Sequence, residues 1–299
     1  MAATKRPSIP PTLSPQLCTL ADSTHDGGAW LHEIKYDGWR LLARKFGADV
    51  TLFTREGVDL TAQLPKLAAE IAALPVKSAW LDGELVYFND QSFPDFDSLM
   101  GRVRAGDERR LFYQVFDMPW YDDRNLTKMP LVERKFLLGH LLDGREAKLR
   151  FTDHILGDGP RVFHGANGMD LEGIVSKRVD SPYRTGRRSR DWLKVKCWRT
   201  HAFVVGGIDH DENDRVEALL VGSLDGTRLR YEGRVEFGLS RVSSIWENVQ
   251  PIASSPFIDV SSSRRRIWLE PRTIIELRAL PRVLGRPLRH ATALRAIVL

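Results

Sequence analysis

A lysine at position 35 lies in a setting that suits covalent nucleotide chemistry. Residues 33–40 read Glu-Ile-Lys-Tyr-Asp-Gly-Trp-Arg, so an Asp-Gly pair, a common turn signal, closely follows the lysine. A lysine amine attacks a phosphate only when it is neutral. Its usual pKa of about 10.4 leaves about one molecule in a thousand neutral near pH 7.4, a deficit of roughly 4 kcal/mol. Burial, a nearby cation or a bound metal lowers the pKa of such an amine. Taken alone, the segment is more often a surface turn.

Further segments rich in carboxylates and cationic side chains follow along the chain. They are Thr54-Arg55-Glu56-Gly57, Leu81-Asp82-Gly83-Glu84, Phe116-Asp117, residues 171–177 (Leu-Glu-Gly-Ile-Val-Ser-Lys) and residues 192–196 (Trp-Leu-Lys-Val-Lys). Attack on an α-phosphate needs positive groups around the phosphates and a metal to balance charge on the departing pyrophosphate. Mg²⁺ is held by a small number of carboxylates, with phosphate oxygens and water completing its shell, so Glu84 and Glu172 are its predicted ligands. Lys194 and Lys196 would point to the same side of a strand and form a phosphate clamp.

The ordered set of motifs resembles the covalent nucleotidyltransferase superfamily of ATP-dependent DNA ligases, RNA ligases and mRNA capping enzymes. Within it, the chain is most similar to the ligase module of bacterial end-joining ligases, for which residues 30–40 and 171–178 are close to the usual motif sequences. The resemblance extends over about residues 10–290. Six motifs in one order are far more specific than any one of them.

The resemblance implies a role for each motif residue and two cofactors, ATP and Mg²⁺, with Mn²⁺ as a substitute ion. The implied roles are Lys35 as the residue that carries AMP, Arg40 and Arg55 on the ribose and phosphate side of the nucleotide, Glu33 and Ile34 beside the adenine edge, Phe116 stacked on adenine, Glu84 at the ribose or metal, Glu172 at the metal, and Lys194 and Lys196 at the α-phosphate.

Each motif also has a purely structural interpretation when it is taken alone. Phe116 lies in a predicted strand, where phenylalanine usually belongs to the core, and Glu84 follows a turn-like Asp-Gly pair. Lys194 and Lys196 fit the solvated face of a half-buried strand, and Arg55 fits an ordinary surface charge. We favour the functional interpretation because all the motifs occur in one order and spacing.

Charge favours an anionic partner. The 299-residue chain carries a net charge of +5 and has a pI of about 9.3. Residues 260–299 hold nine arginines against two glutamates, a net of +7, and such a cluster can neutralise DNA phosphates. A solvated face and a general preference for arginine codons are the alternatives. The predicted nucleic-acid contacts are Arg184, Arg187, Arg188, Arg264, Arg265, Arg266 and Arg289.

The resemblance implies an α+β nucleotidyltransferase domain of antiparallel sheets with flanking helices, over residues 21–199, and the apolar pattern predicts strands and helices there. Strands are predicted at residues 30–43, 50–54, 80–88, 111–117, 173–177 and 193–197, and helices at 60–74 and 131–142. The polar, basic residues 181–191 are predicted to form a loop. Residues 1–20, with four prolines, are predicted to form an extended N-terminal arm.

The pattern changes to short strands after residue 199. Strands are predicted at residues 202–208, 218–223, 229–237 and 268–280, with a hairpin turn at 224–227. This number of strands suits a small all-β barrel over residues 200–299, and the count alone fits an SH3-like barrel equally well. The resemblance implies the oligonucleotide-binding (OB) fold.

The end of the chain departs from the family pattern. The family's last motif, commonly Arg-x-Asp-Lys, orients pyrophosphate during self-adenylation. Here Arg289 and Arg295 match its arginine, but Ile297 and Val298 replace the Asp and Lys if the spacing holds. The first chemical step is therefore the one that the sequence puts in question, although nearby arginines such as Arg286 are available as substitutes.

The resulting hypothesis is an ATP-dependent DNA ligase that seals nicks in duplex DNA through a lysine–AMP intermediate. We expect it to act in DNA repair as a monomer, with nicked double-stranded DNA and end-joining or repair proteins as partners. An RNA ligase or capping-type nucleotidyltransferase and a degenerate, non-catalytic DNA-binding paralogue are the alternatives. No secretory signal, membrane-length apolar run or cysteine pair with metal spacing is present. We therefore expect a cytoplasmic, nucleoid-associated protein of bacterial type with no membrane partner.

Overall fold

A computed structural model describes residues 9–144, 147–243, 245, 250–260, 265–281 and 286–298. The chain divides into two compact units, Met1–Lys196 and Cys197–Leu299. The sequence places the domain boundary after residue 199, three residues beyond this division.

The first unit contains two β-sheets and four α-helices. Its strands are β1 (Leu17–Leu20), β2 (Trp30–Ile34), β3 (Trp39–Phe46), β4 (Asp49–Thr54), β5 (Ser78–Tyr87), β6 (Leu111–Tyr121), β7 (Arg124–Asn125), β8 (Leu149–Phe151), β9 (Ile155–Leu156), β10 (Gly173–Arg178) and β11 (Arg188–Lys196). Its helices are α1 (Pro65–Ala72), α2 (Phe96–Arg104), α3 (Leu131–Leu142) and α4 (Gly159–Gly168).

The first sheet has five strands in the order β1-β11-β10-β2-β9. Strand β10 pairs antiparallel with both neighbours, so Val175 lies opposite Glu33 on one side and opposite Lys194 on the other. The segment after β2 carries Lys35. This sheet therefore brings the first, fifth and sixth motifs of the sequence together.

The second sheet has the order β4-β3-β5-β6-β7, with β8 beside β6. Arg40 lies opposite Glu84, and Asp82 lies opposite Asp117, so one face of this sheet carries charged motif residues. The other face carries apolar side chains, including Leu41 and Leu81. Alternation along each strand separates the charged face from the core.

The main core of the first unit forms where helices cover that apolar face. Helix α1 contributes Leu67 and Ile71, α2 contributes Leu99 and Val103, and α3 contributes Leu138 among others. Helix α2 begins at an N-cap, Asp95, whose side chain accepts a hydrogen bond from the backbone N–H of Ser98. Helix α4 instead packs against β2 and β10 of the first sheet.

The N-terminal residues pack against both sheets. The carbonyl of Pro10 accepts hydrogen bonds from the Trp80 indole (3.0 Å) and from Arg44 (3.2 Å) of the second sheet. Strand β1 pairs in parallel with β11, with Leu17 opposite Arg188. The predicted loop at residues 181–191 accordingly ends at Arg188, where β11 begins.

The described part of the second unit is built mainly of β-strands, with a short 3-10 helix at Leu239–Val242. Its strands are β12 (Arg199–His210), β13 (Val216–Asp225), β14 (Arg228–Val235), β15 (Pro251–Ile252), β16 (Arg266–Ala279) and β17 (Thr292–Val298), in the order β14-β13-β12-β16-β15 with β17 beside β16. Bulges in β12, at its pairings with both neighbours, bend the sheet. One core of this unit includes Val205, Leu219 and Leu277, and a separate one includes Leu220 and Phe257.

The fold class predicted from the sequence is confirmed: an α+β domain of antiparallel sheets with flanking helices precedes an all-β unit. Within the described ranges, no helix combines the length and apolar character that crossing a membrane requires.

Candidate active site

Lys35 is held by its backbone and by its side chain. Its N–H donates a 2.9 Å hydrogen bond to the carbonyl of Gly173, and its Nζ lies 2.5 Å from Oε2 of Glu172. Gly173 has a φ of +151°, and a Cβ there would lie 2.1 Å from the carbonyl oxygen of Val195. The glycine therefore lets β10 start tightly against β11, which places the neighbouring Glu172 beside the lysine.

Lys196 approaches the same carboxylate from β11. Its Nζ lies 3.4 Å from Oε1 of Glu172, and both side chains are largely buried. Burial lowers the pKa of Lys196, and the charges of Lys35 and Lys194 lower it further although Glu172 opposes them. Burial and the charge of Lys35 also lower the pKa of Lys194. The structure thus collects three lysines around one glutamate.

The electrostatics of the pair keep Lys35 protonated. Burial acts to lower the pKa of Lys35, but the carboxylates of Glu172 and Glu84 outweigh it, so the pKa lies above its usual value. The pKa of Glu84 is raised to about 7 by burial, with Glu172 and Asp82 adding to the rise. The reactive state expected of Lys35, with a lowered pKa, is therefore not the state of the protein alone.

Arg40 is fixed by a bidentate ion pair. Its Nε and Nη2 lie 2.5 and 2.6 Å from the two carboxylate oxygens of Asp82, which also accepts a 2.6 Å hydrogen bond from Tyr183. The guanidinium carbon lies 4.4 Å from the ring centroid of Phe116. Arg40 and Phe116, predicted to contact the nucleotide, are thus in contact with each other.

Phe116 also lies beside a second cation. The Nζ of Lys177 is 4.2 Å from the ring centroid of Phe116 and 4.2 Å from that of Trp192. The two rings meet edge to face, with centroids 6.0 Å apart. This cluster joins Phe116 of β6 to Lys177 of β10 and Trp192 of β11, so it links the second sheet to the first.

Glu33 and Ile34 occupy the strand that leads to Lys35. Glu33 is 2% exposed and accepts a 2.5 Å hydrogen bond from Lys135, while its other oxygen lies 2.6 Å from Lys177. Both ammonium groups lower the pKa of Glu33 despite its burial. Ile34 is half-buried and lies opposite Ile174.

Arg55 is placed differently from the other nucleotide residues. It directly follows β4, its side chain is 52% exposed, and among the described residues its ion-pair partner is Glu56 at 4.0 Å. The structure therefore shows Arg55 as a surface side chain, and its nucleotide contact stays a prediction.

The arginines predicted to contact nucleic acid differ in their surroundings. Arg184, Arg187 and Arg188 are exposed, although Arg184 pairs with Asp191 at 2.5 Å and Arg188 donates to the carbonyl of Cys18.

In the second unit, Arg265 is exposed, and its guanidinium lies 3.7 Å from Glu212. Arg266 makes two hydrogen bonds, of 2.6 and 2.9 Å, to the carboxylate of Asp209. Arg289 is half-buried, and its carbonyl accepts a hydrogen bond from Leu280. Arg264 lies outside the described residues.

Two carboxylates suit a metal that arrives with a nucleotide. Among the described residues, no cluster of three or more His, Cys, Asp or Glu side chains is arranged to hold a metal ion. The charges of Glu172 and Glu84 both raise the pKa of Lys35. This donor set fits Mg²⁺ whose remaining ligands are phosphate oxygens and water.

Sequence reasoning assigned no role to several buried charged residues around the site. Asp82, Asp117 and Lys177 lie in the quoted motifs, so the motifs themselves contained a signal. Arg134 and Lys135 lie in a helix without a motif, where charged residues normally face solvent, so the sequence offered no sign of their burial.

Comparisons with known proteins identify the family of the chain. A family model described as "ATP dependent DNA ligase domain" matches residues 15–196. The chain is 34% identical over 296 residues to the multifunctional non-homologous end joining protein LigD of Pseudomonas aeruginosa, covering 95% of this chain and 35% of that protein. It is 29% identical to LigD of Mycolicibacterium smegmatis, covering 94% and 38%. The chain thus spans about a third of the length of these curated relatives.

Solved structures show the same fold. The structure of a mycobacterial DNA ligase D complexed with ATP and MES matches with a TM-score of 0.59 and 28% identity, covering 94% of this chain and 93% of that one. A structure from a study of Lig E DNA ligases matches with a TM-score of 0.62 and 17% identity, covering 95% and 99%, and supports the fold alone.

Proposed function

Because the chain belongs to the ATP-dependent DNA ligase family, we propose that it seals nicks in duplex DNA through an AMP group bonded to Lys35. The observation that carries this proposal is the meeting of Lys35, Glu172 and Lys196 from three separate motifs, with Nζ–carboxylate distances of 2.5 and 3.4 Å. The similarity to LigD proteins supports a role in DNA repair.

In the first step, the Nζ lone pair of Lys35 attacks the α-phosphorus of ATP. Lys35 first gives its ammonium proton to solvent. The nitrogen–phosphorus bond then forms as the bond to pyrophosphate breaks, and a second N–H proton passes to water or to the departing pyrophosphate. Lys196 and Lys194 would supply positive charge to the crowded phosphate oxygens. Burial lowers the pKa of both lysines and the neighbouring ammonium charges add to this, so the charge of an anionic ligand would favour their protonated forms.

Deprotonation of Lys35 requires a weaker ion pair between its ammonium group and the carboxylate of Glu172. As long as the carboxylate lies 2.5 Å from Nζ, the proton stays on the amine. Glu84 and Glu172 are the residues that would bind Mg²⁺, which supplies positive charge near the triphosphate and the amine. With their negative charge engaged elsewhere, burial alone would lower the pKa of Lys35.

In the later steps the AMP passes to DNA. A 5′-phosphate oxygen attacks the phosphorus bonded to Lys35, and the nitrogen–phosphorus bond breaks. The 3′-hydroxyl oxygen then attacks the 5′-phosphorus, the new phosphodiester bond forms, and AMP leaves. We propose that the exposed arginines 184, 187 and 188 and the all-β second unit, acting as an OB-fold domain, bind the DNA backbone.

The proposal is tested by the mass of the protein after incubation with ATP and Mg²⁺. We expect a gain equal to one AMP, lost in Lys35→Ala and retained in the control Lys66→Ala, whose side chain is exposed on α1. Parallel reactions with GTP distinguish a capping-type enzyme, because an adduct formed only with GTP would contradict the ligase. Sealing of a nicked duplex that survives Lys35→Ala would also refute the proposal.

A further inference from the structure

Helix α3 carries two adjacent charged residues that are both fully buried. Arg134 and Lys135 are 0% and 1% exposed. Arg134 makes two 2.8 Å hydrogen bonds to the carboxylate of Asp117, and Lys135 makes one of 2.5 Å to Glu33. Asp117 belongs to the second sheet and Glu33 to the first. The helix therefore holds both sheets through ion pairs.

These ion pairs end beside the residues predicted to bind the nucleotide. Asp117 directly follows Phe116, and Glu33 precedes Lys35 by two residues. The second oxygen of Glu33 lies 2.6 Å from Lys177, whose Nζ is 4.2 Å from the Phe116 ring centroid. The carboxylate of Glu33 thus connects Lys135 both to β2, the strand that leads to Lys35, and to Lys177, which lies beside Phe116.

Stability alone does not account for a lysine at this position. Buried ion pairs are often matched or exceeded in stability by well-packed apolar side chains of similar volume. Burial lowers the pKa of Lys135, which shows that its charge is held at the expense of hydration. A helix that needed only to pack against the sheets could use leucine or methionine here. We attribute the buried charge of Lys135 to its effect on the orientation of Glu33.

We propose that Lys135 is a positioning residue that acts through Glu33 to set the affinity and base selectivity of the nucleotide pocket. The ammonium bonds one carboxylate oxygen and the carbonyl of Thr152 (3.0 Å), which fixes the rotamer of Glu33. The fixed carboxylate in turn sets the place of Lys177 against Phe116. This inference rests on the proposed nucleotide chemistry at Lys35, but Lys135 itself touches no reacting atom.

The test combines single and double variants in a cycle. We compare Lys135→Met, Lys135→Arg, Glu33→Gln and the double variant Glu33→Gln/Lys135→Met, with Lys66→Met as the exposed control. For each, AMP-adduct formation is measured over a range of ATP and GTP concentrations, and thermal unfolding is recorded. Lys135→Met keeps the ion pair between Glu33 and Lys177, so it leaves no buried carboxylate unpaired and is expected to fold, whereas Glu33→Gln and the double variant both leave the buried Lys177 without this carboxylate and are compared with each other.

The expected result is a change in KM rather than in kcat. Lys135→Met should raise the KM for ATP about tenfold or more, reduce the preference for ATP over GTP and leave the maximal rate of adduct formation within about threefold, since Lys35 and Glu172 are unaltered. Lys135→Arg should restore most of the affinity. The double variant should match Glu33→Gln, because the proposed effect of Lys135 passes through the Glu33 carboxylate.

Three outcomes separate failure of the inference from failure of the proposed function. No adduct in the unaltered protein would remove the ligase proposal itself. An adduct in the unaltered protein together with a Lys135→Met effect confined to kcat or to unfolding temperature would overturn the positioning role. A double variant with a KM about tenfold above that of Glu33→Gln would also overturn it, because Lys135 would then act independently of Glu33.

Discussion

At the residue scale, the charges around Lys35 keep its amine in the protonated, unreactive form. Lys35 is paired with Glu172, and Glu84 has a pKa near the neutral range, about 7, because it is buried among other carboxylates. An amine held protonated does not attack phosphate. On the proposed mechanism, this pairing keeps Lys35 unreactive until a nucleotide and its cation alter the charge around Glu172.

Arg40 provides the first prediction at this scale. A lysine cannot make the two hydrogen bonds to Asp82 while lying over Phe116. We expect Arg40→Lys to raise the ATP concentration for half-maximal adduct formation about 10-fold to 150-fold. Arg109→Lys is the matched control, because Arg109 makes a bidentate pair with Asp107 but is 83% exposed. An unchanged ATP dependence in Arg40→Lys would contradict the prediction.

The sequence predicts reactive residues better than the residues that hold them. Lys35, Glu172 and Lys196 are recognisable because their spacing recurs in a known family, and the structure brings them together. The burial of Lys135 could not be predicted, because its partner Glu33 lies about a hundred residues away and only the tertiary fold joins them.

At the element scale, the start of β10 determines the position of Glu172. It pairs with β2 and β11, and the preceding residue is Glu172. The positive φ and the close approach of the Val195 carbonyl leave no room for a side chain at Gly173. The position of the carboxylate beside Lys35 therefore depends on the backbone of one glycine.

Gly173→Ala should disturb both folding and chemistry. We expect a loss of about 1–3 kcal/mol in the free energy of unfolding from strain at this φ, and slower adduct formation because Glu172 moves. Gly165→Ala is the control: nothing lies within 4 Å of its added methyl in α4, so we expect it to be neutral or to stabilise by up to about 1 kcal/mol. Urea unfolding and adduct rates check both variants, and equal behaviour of the two would refute the prediction.

Sequence patterns predict the longer helices and strands. They miss helices whose formation depends on packing against the rest of the fold. Helix α3 was predicted at residues 131–142 and is confirmed at Leu131–Leu142. Helix α4 was missed because three of its ten residues are glycines, which disfavour a helix. It forms because Val162 and Ala166 are buried where it packs against the first sheet. Helix α2 was missed although Asp95 and Ser98 give a capping signal.

At the scale of the whole molecule, positive charge is distributed over both units. The exposed arginines of residues 184–188 belong to the first unit, and the C-terminal cluster belongs to the second. DNA affinity from such charges falls with salt in proportion to the number of phosphates contacted.

Replacing Arg184, Arg187 and Arg188 together by glutamine should reduce the salt dependence of binding to a nicked duplex. With three phosphate contacts removed, we expect the slope of log K against log salt to become shallower by about 2.7. The control replaces the exposed Arg109, Arg124 and Arg161. A slope that changes equally in both triple variants would show that the loop is not a specific DNA contact.

The end of the chain makes the first step the expected weak point of the ligase cycle. If the motif spacing predicted from the sequence holds, Ile297 and Val298 stand where the family commonly has Asp and Lys. Arg295 makes two hydrogen bonds, of 2.7 and 2.6 Å, to Glu276. We therefore expect sealing of a pre-adenylated nick to be at least about tenfold faster than formation of the AMP adduct from ATP.

Introducing Ile297→Asp with Val298→Lys should accelerate adduct formation about tenfold and leave sealing of the pre-adenylated nick unchanged. Ile267→Asp is the control, because Ile267 and Ile297 are both 42% exposed on strands of the same unit. If adduct formation and pre-adenylated sealing proceed at equal rates in the unaltered protein, these two residues do not limit the first step, and other cations must serve the departing pyrophosphate.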